Sequence, residues 1–176
     1  IGSDIRNPQL QRYNTSRKGL TGLTEYLHDE KINLNQVIVK SSFNPNCDVI
    51  YSGSIPPNPT ELLSNGRYEE LLTELKKSYN YIILDTAPLM LVTDSLLISE
   101  NADTTIYVTR SEYTEKTLLE FANKLIDSGK IKNVGFVLNG VDDDYLGYGN
   151  KYGYGYGRDN RSFFQKLKDR LFFRSI

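Results

Sequence analysis

The amino-acid sequence predicts an α/β protein with a doubly wound, mostly parallel sheet and helices on both faces. Segments of helical and of strand character alternate along the chain at lengths that suit this architecture. Residues 81–84 form a run of bulky apolar side chains without a polar interruption, which is typical of a strand buried on both faces of a parallel sheet. Such alternation also favours right-handed crossovers between parallel strands.

The composition is that of an ordinary globular domain. The 176 residues have 39% hydrophobic and 24% charged content and a net charge of −1, so we expect no nucleic-acid partner. The single cysteine, Cys47, excludes an internal disulfide, and with the single histidine, His28, it makes a poor metal cluster. No apolar run approaches the roughly 20 residues needed to cross a bilayer, and no signal peptide is visible. The sequence opens on Ile1 without a methionine, and we expect it to begin inside a larger protein.

The first half of the chain is predicted to contain short strands and three helices around a stiff loop. Residues 1–5 have the character of a strand end, because Asn7-Pro8 follows and proline donates no backbone hydrogen bond. The further elements are a helix over 21–29 with Thr21 as its N-cap, β-rich runs over 36–40 and 48–51, an extended proline-containing loop over 52–59, and helices over 60–63 and 68–78.

The second half continues from the apolar run with two further strands. The predicted elements are a strand over 81–84, a helix over 94–100, a strand over 104–109, a helix over 114–128 and a strand over 133–138. Gly129 follows the longest of these helices, where glycine commonly ends a helix. The last strand ends in Asn139-Gly140.

The sequence past Val141 changes character and defines two further regions. Residues 142–157 combine three aspartates with tyrosines and glycines, a composition that buries little and loses much backbone entropy on ordering. We therefore predict a flexible tail over 142–157, after a main region over 1–141. Residues 158–176 contain a candidate amphipathic basic helix over 162–173, which either packs on the domain or lies on anionic lipid.

Two aspartates at strand ends are the candidate catalytic residues. Asp85 directly follows the apolar run, and ligands of parallel sheets bind beyond the carboxyl ends of the strands. A carboxylate there suits a hydrated Mg²⁺ that carries nucleotide phosphates, as in a Walker B strand, although an aspartate that caps a turn gives the same pattern.

Asp4 lies at the strand end over residues 1–5, and Arg6 follows two residues later. Two carboxylates on one metal, with a guanidinium nearby for phosphate charge, indicate phosphoryl transfer. Alternatively, Asp4 forms a turn and Arg6 is a surface charge.

Several segments resemble, in order, the motifs of the bacterial tyrosine kinases (BY-kinases), P-loop proteins that control the synthesis and export of capsular polysaccharide and exopolysaccharide. The pattern Gly-x-x-x-x-Gly-Lys-[Ser/Thr] itself does not occur in the 176 residues. Residues 4–10 resemble the Walker A′ motif, and residues 18–27 resemble the next element of the family. Residues 52–63 resemble its proline loop, and residues 82–88 resemble its Walker B motif. Residues 137–141, with the tyrosine-rich tail that follows, resemble its C-terminus.

The resemblance implies a P-loop NTPase-like fold and a protein-tyrosine autokinase that uses ATP and Mg²⁺. By this resemblance Asp4 and Asp85 bind the metal, and Asp4 also accepts the proton of the substrate. Arg6 positions the acidic groups and the phosphates, and Asn139 contacts the adenine. The tail tyrosines are the substrate, phosphorylated between neighbouring subunits of a ring: Tyr145, Tyr148, Tyr152, Tyr154 and Tyr156.

The resemblance also implies partners and a location. The expected partners are other copies of the chain in a homo-oligomeric ring, a transmembrane activator or polysaccharide co-polymerase domain, and a tyrosine phosphatase. The expected location is the cytoplasmic side of the bacterial inner membrane.

The sequence departs from the family pattern at three places. Gly2 replaces the first aspartate of Walker A′, and Ala87 stands where the family often has proline. In the family, the Walker A loop and the helix with the subunit-contact motif precede the position of Ile1, so we expect the chain as given to bind ATP poorly. Two other functions stay open. One is a catalytically inactive regulatory module of the polysaccharide machinery, and the other is a partition-type P-loop ATPase, which would have no need of a tyrosine tail.

Overall fold

The computed structural model describes residues 1–13, 21–41, 44–90 and 93–142. Its helices are α1 (Leu23–His28), α2 (Leu34–Val37), α3 (Pro59–Leu63), α4 (Arg67–Leu75), α5 (Asp94–Glu100) and α6 (Lys116–Asp127), with a 3-10 helix over Leu10–Tyr13. Its strands are β1 (Ile38–Lys40), β2 (Asp48–Ile50), β3 (Thr105–Arg110) and β4 (Val134–Asn139). This arrangement of helices and strands confirms the predicted α/β class.

The described strands pair in two small sheets. β1 and β2 are antiparallel, and the turn between them is held at Asn44, whose carbonyl accepts from the Cys47 amide at 3.1 Å. β3 and β4 are parallel and in register along their whole length, with α6 in the connection between them. A further parallel contact is the isolated bridge between Gly2 and Asp85.

The hydrophobic core is built around α4. Leu71 is completely buried, as is Leu23 of α1, because the apolar residues of each helix recur on one face. The core cluster comprises Ile5, Leu23, Leu27, Val37, Ile50, Leu62, Leu63, Tyr68, Leu71, Leu72, Leu75 and Ile98. All of these residues lie between positions 5 and 98. The buried residues of α6 and of the segment that follows it, such as Leu125 and Ile131, do not belong to this cluster.

The prediction that residues 81–84 form a strand buried on both faces is wrong. Tyr81 and Ile83 are 88% and 80% exposed, whereas Ile82 and Leu84 pack against the core. The segment is extended beside residues 1–3 but forms only the single bridge at Asp85. The run is therefore half-buried, because the described chain covers only one of its two faces.

Two local predictions are also wrong. α1 begins at Leu23 with Gly22 as its N-cap, so Thr21 does not cap it. Residues 36–37 belong to α2 rather than to a strand. The Asn33 amide donates to the side chain of Gln36 at 2.8 Å, and this local bond favours the helical turn.

Other bounds are close to the prediction. α5 has the predicted bounds, and Gly129 follows α6 with a φ of +70°, as a glycine that ends a helix does. The predicted tail beyond Asp142 and the basic helix over 162–173 lie outside the described residues. Among the helices that the structure does describe, none combines the length and the apolar character needed to cross a membrane.

Candidate active site

The two candidate aspartates are brought together by backbone hydrogen bonds around the parallel bridge. The Asp85 amide donates to the Ile1 carbonyl at 2.8 Å. The amides of Ser3 and Asp4 both donate to the Asp85 carbonyl, at 2.7 and 3.0 Å. Since the Asp4 amide binds the Asp85 carbonyl directly, the structure places the ends of the two acidic segments next to each other.

The carboxylate of Asp4 is oriented by its own turn. Its Oδ1 accepts from the backbone amides of Arg6 at 3.1 Å and Asn7 at 2.9 Å. Asp4 is half-buried and Asp85 is exposed. The two amides of this turn bind only Oδ1 of Asp4. Among the residues that the structure describes, neither Oδ2 of Asp4 nor the Asp85 carboxylate has a hydrogen-bond partner. Both aspartates therefore present oxygen atoms to a ligand from solvent.

These oxygens fit a hydrated Mg²⁺. Mg²⁺ is commonly held by one or two carboxylates, with water and substrate phosphates completing its shell. In residues 1–13, 21–41, 44–90 and 93–142, no group of three or more histidines, cysteines or acidic residues is placed to hold a metal. Asp4 and Asp85 would therefore hold the ion together with the nucleotide, rather than in a cage made by the protein alone.

Ser52 fills the space beside Gly2, the position at which the resemblance to the kinase family implies an aspartate. A Cβ atom at Gly2 would lie 2.6 Å from Ser52 Oγ and 3.2 Å from its backbone nitrogen. Ser52 is buried, and its hydroxyl donates to the Gly2 carbonyl at 2.7 Å. A side chain at position 2 therefore requires Ser52 to move.

Arg6 is held by a buried aspartate on α5. Its Nε donates to Asp94 Oδ2 at 2.6 Å, and its Nη2 donates to Asp94 Oδ1 at 3.1 Å. The hydroxyl of Thr60 accepts from Arg6 Nη2 at 2.8 Å and donates to Asp94 Oδ1 at 2.8 Å. Burial alone would raise the pKa of the Asp94 carboxyl, but hydrogen bonds from Arg6 and Thr60 lower it. The guanidinium is thus engaged in a fork-like pair whose geometry fixes its orientation.

The residue after Asp94 holds the loop that follows Asp85. Ser95 is buried, and its hydroxyl donates to the Ala87 carbonyl at 2.6 Å. α5 therefore contacts both acidic segments. It binds Arg6, two residues after Asp4, and Ala87, two residues after Asp85.

Glu25 ties the start of α1 to the proline-containing loop. Its Oε2 accepts from the Gly22 amide at 2.7 Å, and its Oε1 accepts from the amide of Ser54 at 3.0 Å and from the Ser54 hydroxyl. Two further backbone hydrogen bonds, of 2.8 and 2.9 Å, join the first turn of α1 to residues 51–52. Burial alone would raise the pKa of Glu25, but hydrogen bonds from Ser54 and Gly22 lower it.

Loss of the Glu25 charge is expected to destabilise the protein in a pH-dependent way. A carboxylate whose pKa is lowered by folding stabilises the protein above its unfolded-state pKa, and this stabilisation disappears as the pH falls through the folded-state value. We expect Glu25→Gln to be less stable than the parent at pH 7. The difference should shrink below pH 4.5, the ordinary pKa of the group. Urea unfolding between pH 7 and pH 3 measures this, with exposed Glu30→Gln as the control. A difference that stays constant over this range would contradict the assignment.

The remaining predicted residues are not joined to the aspartates by any described contact. Asn139 ends β4, where its Oδ1 accepts from the Gly140 amide at 2.8 Å and its carbonyl accepts from the Ser111 amide at 2.9 Å. Its contact with adenine stays a prediction. The five tail tyrosines lie outside the described residues.

Sequence reasoning missed the residues that support the site. Asp94 and Thr60 lie 88 and 54 positions from Arg6, so no local spacing connects them. The sequence indicates Asp94 only as the first residue of a predicted helix. An aspartate and a hydroxyl residue at helix starts near a candidate site are a weak signal, because both are common capping residues.

The fold and the paired acidic segments place the chain among the P-loop NTPase-like α/β domains. The structure is similar to the kinase domain of the Escherichia coli tyrosine kinase ETK, with a TM-score of 0.73 and 26% sequence identity. The similarity covers 93% of this chain and 57% of that chain.

Sequence relatives define the family. Tyrosine-protein kinase CpsD of Streptococcus agalactiae is 31% identical over 155 residues, which cover 88% of this chain and 67% of the relative. Tyrosine-protein kinase YwqD of Bacillus subtilis is 34% identical over 166 residues, which cover 94% of this chain and 67% of the relative. No family model matches the chain. The chain belongs to the bacterial tyrosine kinase family, and it spans about two thirds of the length of these two relatives.

Proposed function

We propose that the chain carries the metal-binding and substrate part of an ATP- and Mg²⁺-dependent protein-tyrosine autokinase. The observation that supports this most directly is the 3.0 Å hydrogen bond from the Asp4 amide to the Asp85 carbonyl, which juxtaposes the two acidic segments. Membership of the bacterial tyrosine kinase family supports the reaction class. The expected role is to regulate the polymerisation and export of capsular polysaccharide or exopolysaccharide.

The proposed reaction transfers a phosphoryl group to tyrosine. The phenolic oxygen forms a bond to the γ-phosphorus of ATP while the bond from that phosphorus to ADP breaks. Asp4 and Asp85 would hold the metal, and Asp4 would also accept the phenolic proton through Oδ2, the oxygen that the backbone amides of its turn leave free. A bound Mg²⁺ supplies neutralisation of the phosphate charge. Arg6, engaged with Asp94, contributes positive charge beside these groups.

The proposed substrates are the five tail tyrosines, phosphorylated between neighbouring copies in a ring. Five tyrosines spaced by glycines within residues 145–156 give a tail that can present several hydroxyls to one site. The proposed partners are a transmembrane activator or co-polymerase domain and a tyrosine phosphatase. The proposed location of the kinase is the cytoplasmic side of the bacterial inner membrane.

The test is a chimera in which a Walker A segment of the family is joined to Ile1. We expect the chimera to transfer radiolabel from ATP to tyrosines within residues 145–156, located by mass spectrometry. The 176-residue chain alone is expected to bind ATP poorly in calorimetry, because it has no Gly-x-x-x-x-Gly-Lys pattern. A matched chimera with all five tail tyrosines changed to phenylalanine should stay unlabelled.

A regulatory module without catalytic activity is the second candidate. It is favoured by Gly2, whose neighbour Ser52 leaves no room for the first Walker A′ aspartate without moving. A chimera that binds ATP in calorimetry but transfers no label would support this candidate and contradict the kinase proposal.

A further inference from the structure

One helix contacts both segments that carry the candidate metal ligands. The first two residues of α5, Asp94 and Ser95, are both buried, and the side chain of Asp94 is 5% exposed. Asp94 holds the Arg6 guanidinium at 2.6 Å, and Ser95 holds the Ala87 carbonyl at 2.6 Å. We call Asp94 and Ser95 the α5 brace.

The first contact of the α5 brace acts on Asp4. The Arg6 side chain is fixed on Asp94 by two hydrogen bonds, and the Arg6 amide donates to Asp4 Oδ1 at 3.1 Å. Thr60 closes a ring of hydrogen bonds with Arg6 and Asp94. An unpaired buried carboxylate is costly, so Asp94 strongly favours the conformation in which Arg6 is engaged. The turn that orients the Asp4 carboxylate is therefore tied to α5.

The second contact acts on Asp85. Ala87 is buried two residues after Asp85, and the hydrogen bond from Ser95 fixes its carbonyl. The Asp85 side chain itself is exposed, so the path of the chain on either side decides where its oxygens lie. The bridge to Gly2 fixes the backbone at Asp85 itself, and the hydrogen bond from Ser95 fixes it two residues later.

We propose that Asp94 and Ser95 are positioning residues that set the separation of the Asp4 and Asp85 carboxylates for a divalent cation. The inference rests on the proposed function, because the separation matters only if the two carboxylates share the ion. Mutation of groups that orient metal ligands typically costs about 10- to 100-fold in metal affinity or activity, because the ligands are then no longer held in position.

The test is Mn²⁺ binding to the Walker A chimera with an equimolar amount of a non-hydrolysable ATP analogue, measured by electron paramagnetic resonance of the free ion. We expect Asp94→Asn to weaken Mn²⁺ binding roughly tenfold, the lower end of what loss of such a group costs. Ser95→Ala should weaken it by a smaller factor. The matched controls are Glu100→Gln, an exposed residue of the same helix, and Ser99→Ala, whose hydroxyl bonds only within the helix, to the Leu96 carbonyl at 2.7 Å. Both controls should bind Mn²⁺ as the parent does.

A double substitution separates positioning from general destabilisation. In an Asp4→Asn background, Asp94→Asn should add less than a twofold loss, because the carboxylate that it orients is no longer present. A full further loss in that background, or an unchanged affinity in both Asp94→Asn and Ser95→Ala, would overturn the proposal. Urea unfolding of each variant shows whether the fold is kept, and Ser95→Ala decides alone if Asp94→Asn fails to fold. If Asp4→Asn and Asp85→Asn bind Mn²⁺ as the parent does, the metal role in the proposed function is wrong, and this inference fails with it.

Discussion

Asp85→Asn is expected to reduce tyrosine phosphorylation in the Walker A chimera by about 100-fold or more, and Asp4→Asn to do the same. Each change replaces a charged oxygen ligand with a neutral amide of the same shape, so the transferred phosphoryl group loses charge stabilisation. The side chain of Asp85 is exposed, and the Oδ1 of Asp4 that accepts two backbone amides is kept when the residue becomes asparagine. The loss should therefore occur without unfolding. Radiolabel transfer from ATP at saturating Mg²⁺ measures the rate.

The control for this pair is Asp127→Asn, which removes an exposed carboxylate at the end of α6. It should keep the parental rate of tyrosine phosphorylation. That result would show that the loss in the other two variants is not caused by the change in net charge. Transfer at the parental rate by either Asp85→Asn or Asp4→Asn would remove that residue from the proposed mechanism.

Gly22→Ala is expected to destabilise the fold by about 3 kcal/mol, the upper range for an overpacked site. A Cβ at this position would lie 2.5 Å from both the Gly53 nitrogen and the Tyr51 carbonyl oxygen. These are backbone atoms, so neither can rotate away, and α1 must separate from the proline-containing loop. The Glu25 hydrogen bonds across the same contact would be disturbed as well. Urea unfolding followed by circular dichroism measures the change.

The chain offers a matched glycine for comparison. Gly135 lies in β4, and a Cβ there would meet no atom within 4 Å. Gly135→Ala should leave the stability unchanged or raise it by up to about 1 kcal/mol, since alanine restricts the unfolded chain. Equal unfolding midpoints for Gly22→Ala and Gly135→Ala would show that the close approach of Gly22 to the loop is not maintained in solution.

The elements that local chemistry determines were predicted well from the sequence. The α5 helix and the glycine at the end of α6 follow from periodicity and from the preference of glycine for positive φ. The adjacency of Asp4 and Asp85 also followed, because carboxyl ends of parallel segments meet at one edge.

The rest depends on contacts between distant residues. Whether Ile83 is buried is decided by what covers its side of the segment, and the apolar run alone does not contain that information. In the same way, the sequence near Arg6 does not show that its guanidinium is engaged by Asp94. A charged residue beside a candidate site fits phosphate binding and structural pairing equally well until its partner is located.

The confinement of the core cluster to positions 5–98 has a consequence for how the molecule opens. β3 and β4 pair with each other, and Ile106, Val108 and Leu138 on them are exposed. Fewer apolar contacts protect these strands, so their amides should exchange with deuterium through a partial opening of lower free energy than that of α4. The two halves of the chain would then behave as separate cooperative units, with the paired aspartates in the more stable one and Asn139 in the other. A nucleotide that contacted both units would slow exchange in β4 far more than in α4.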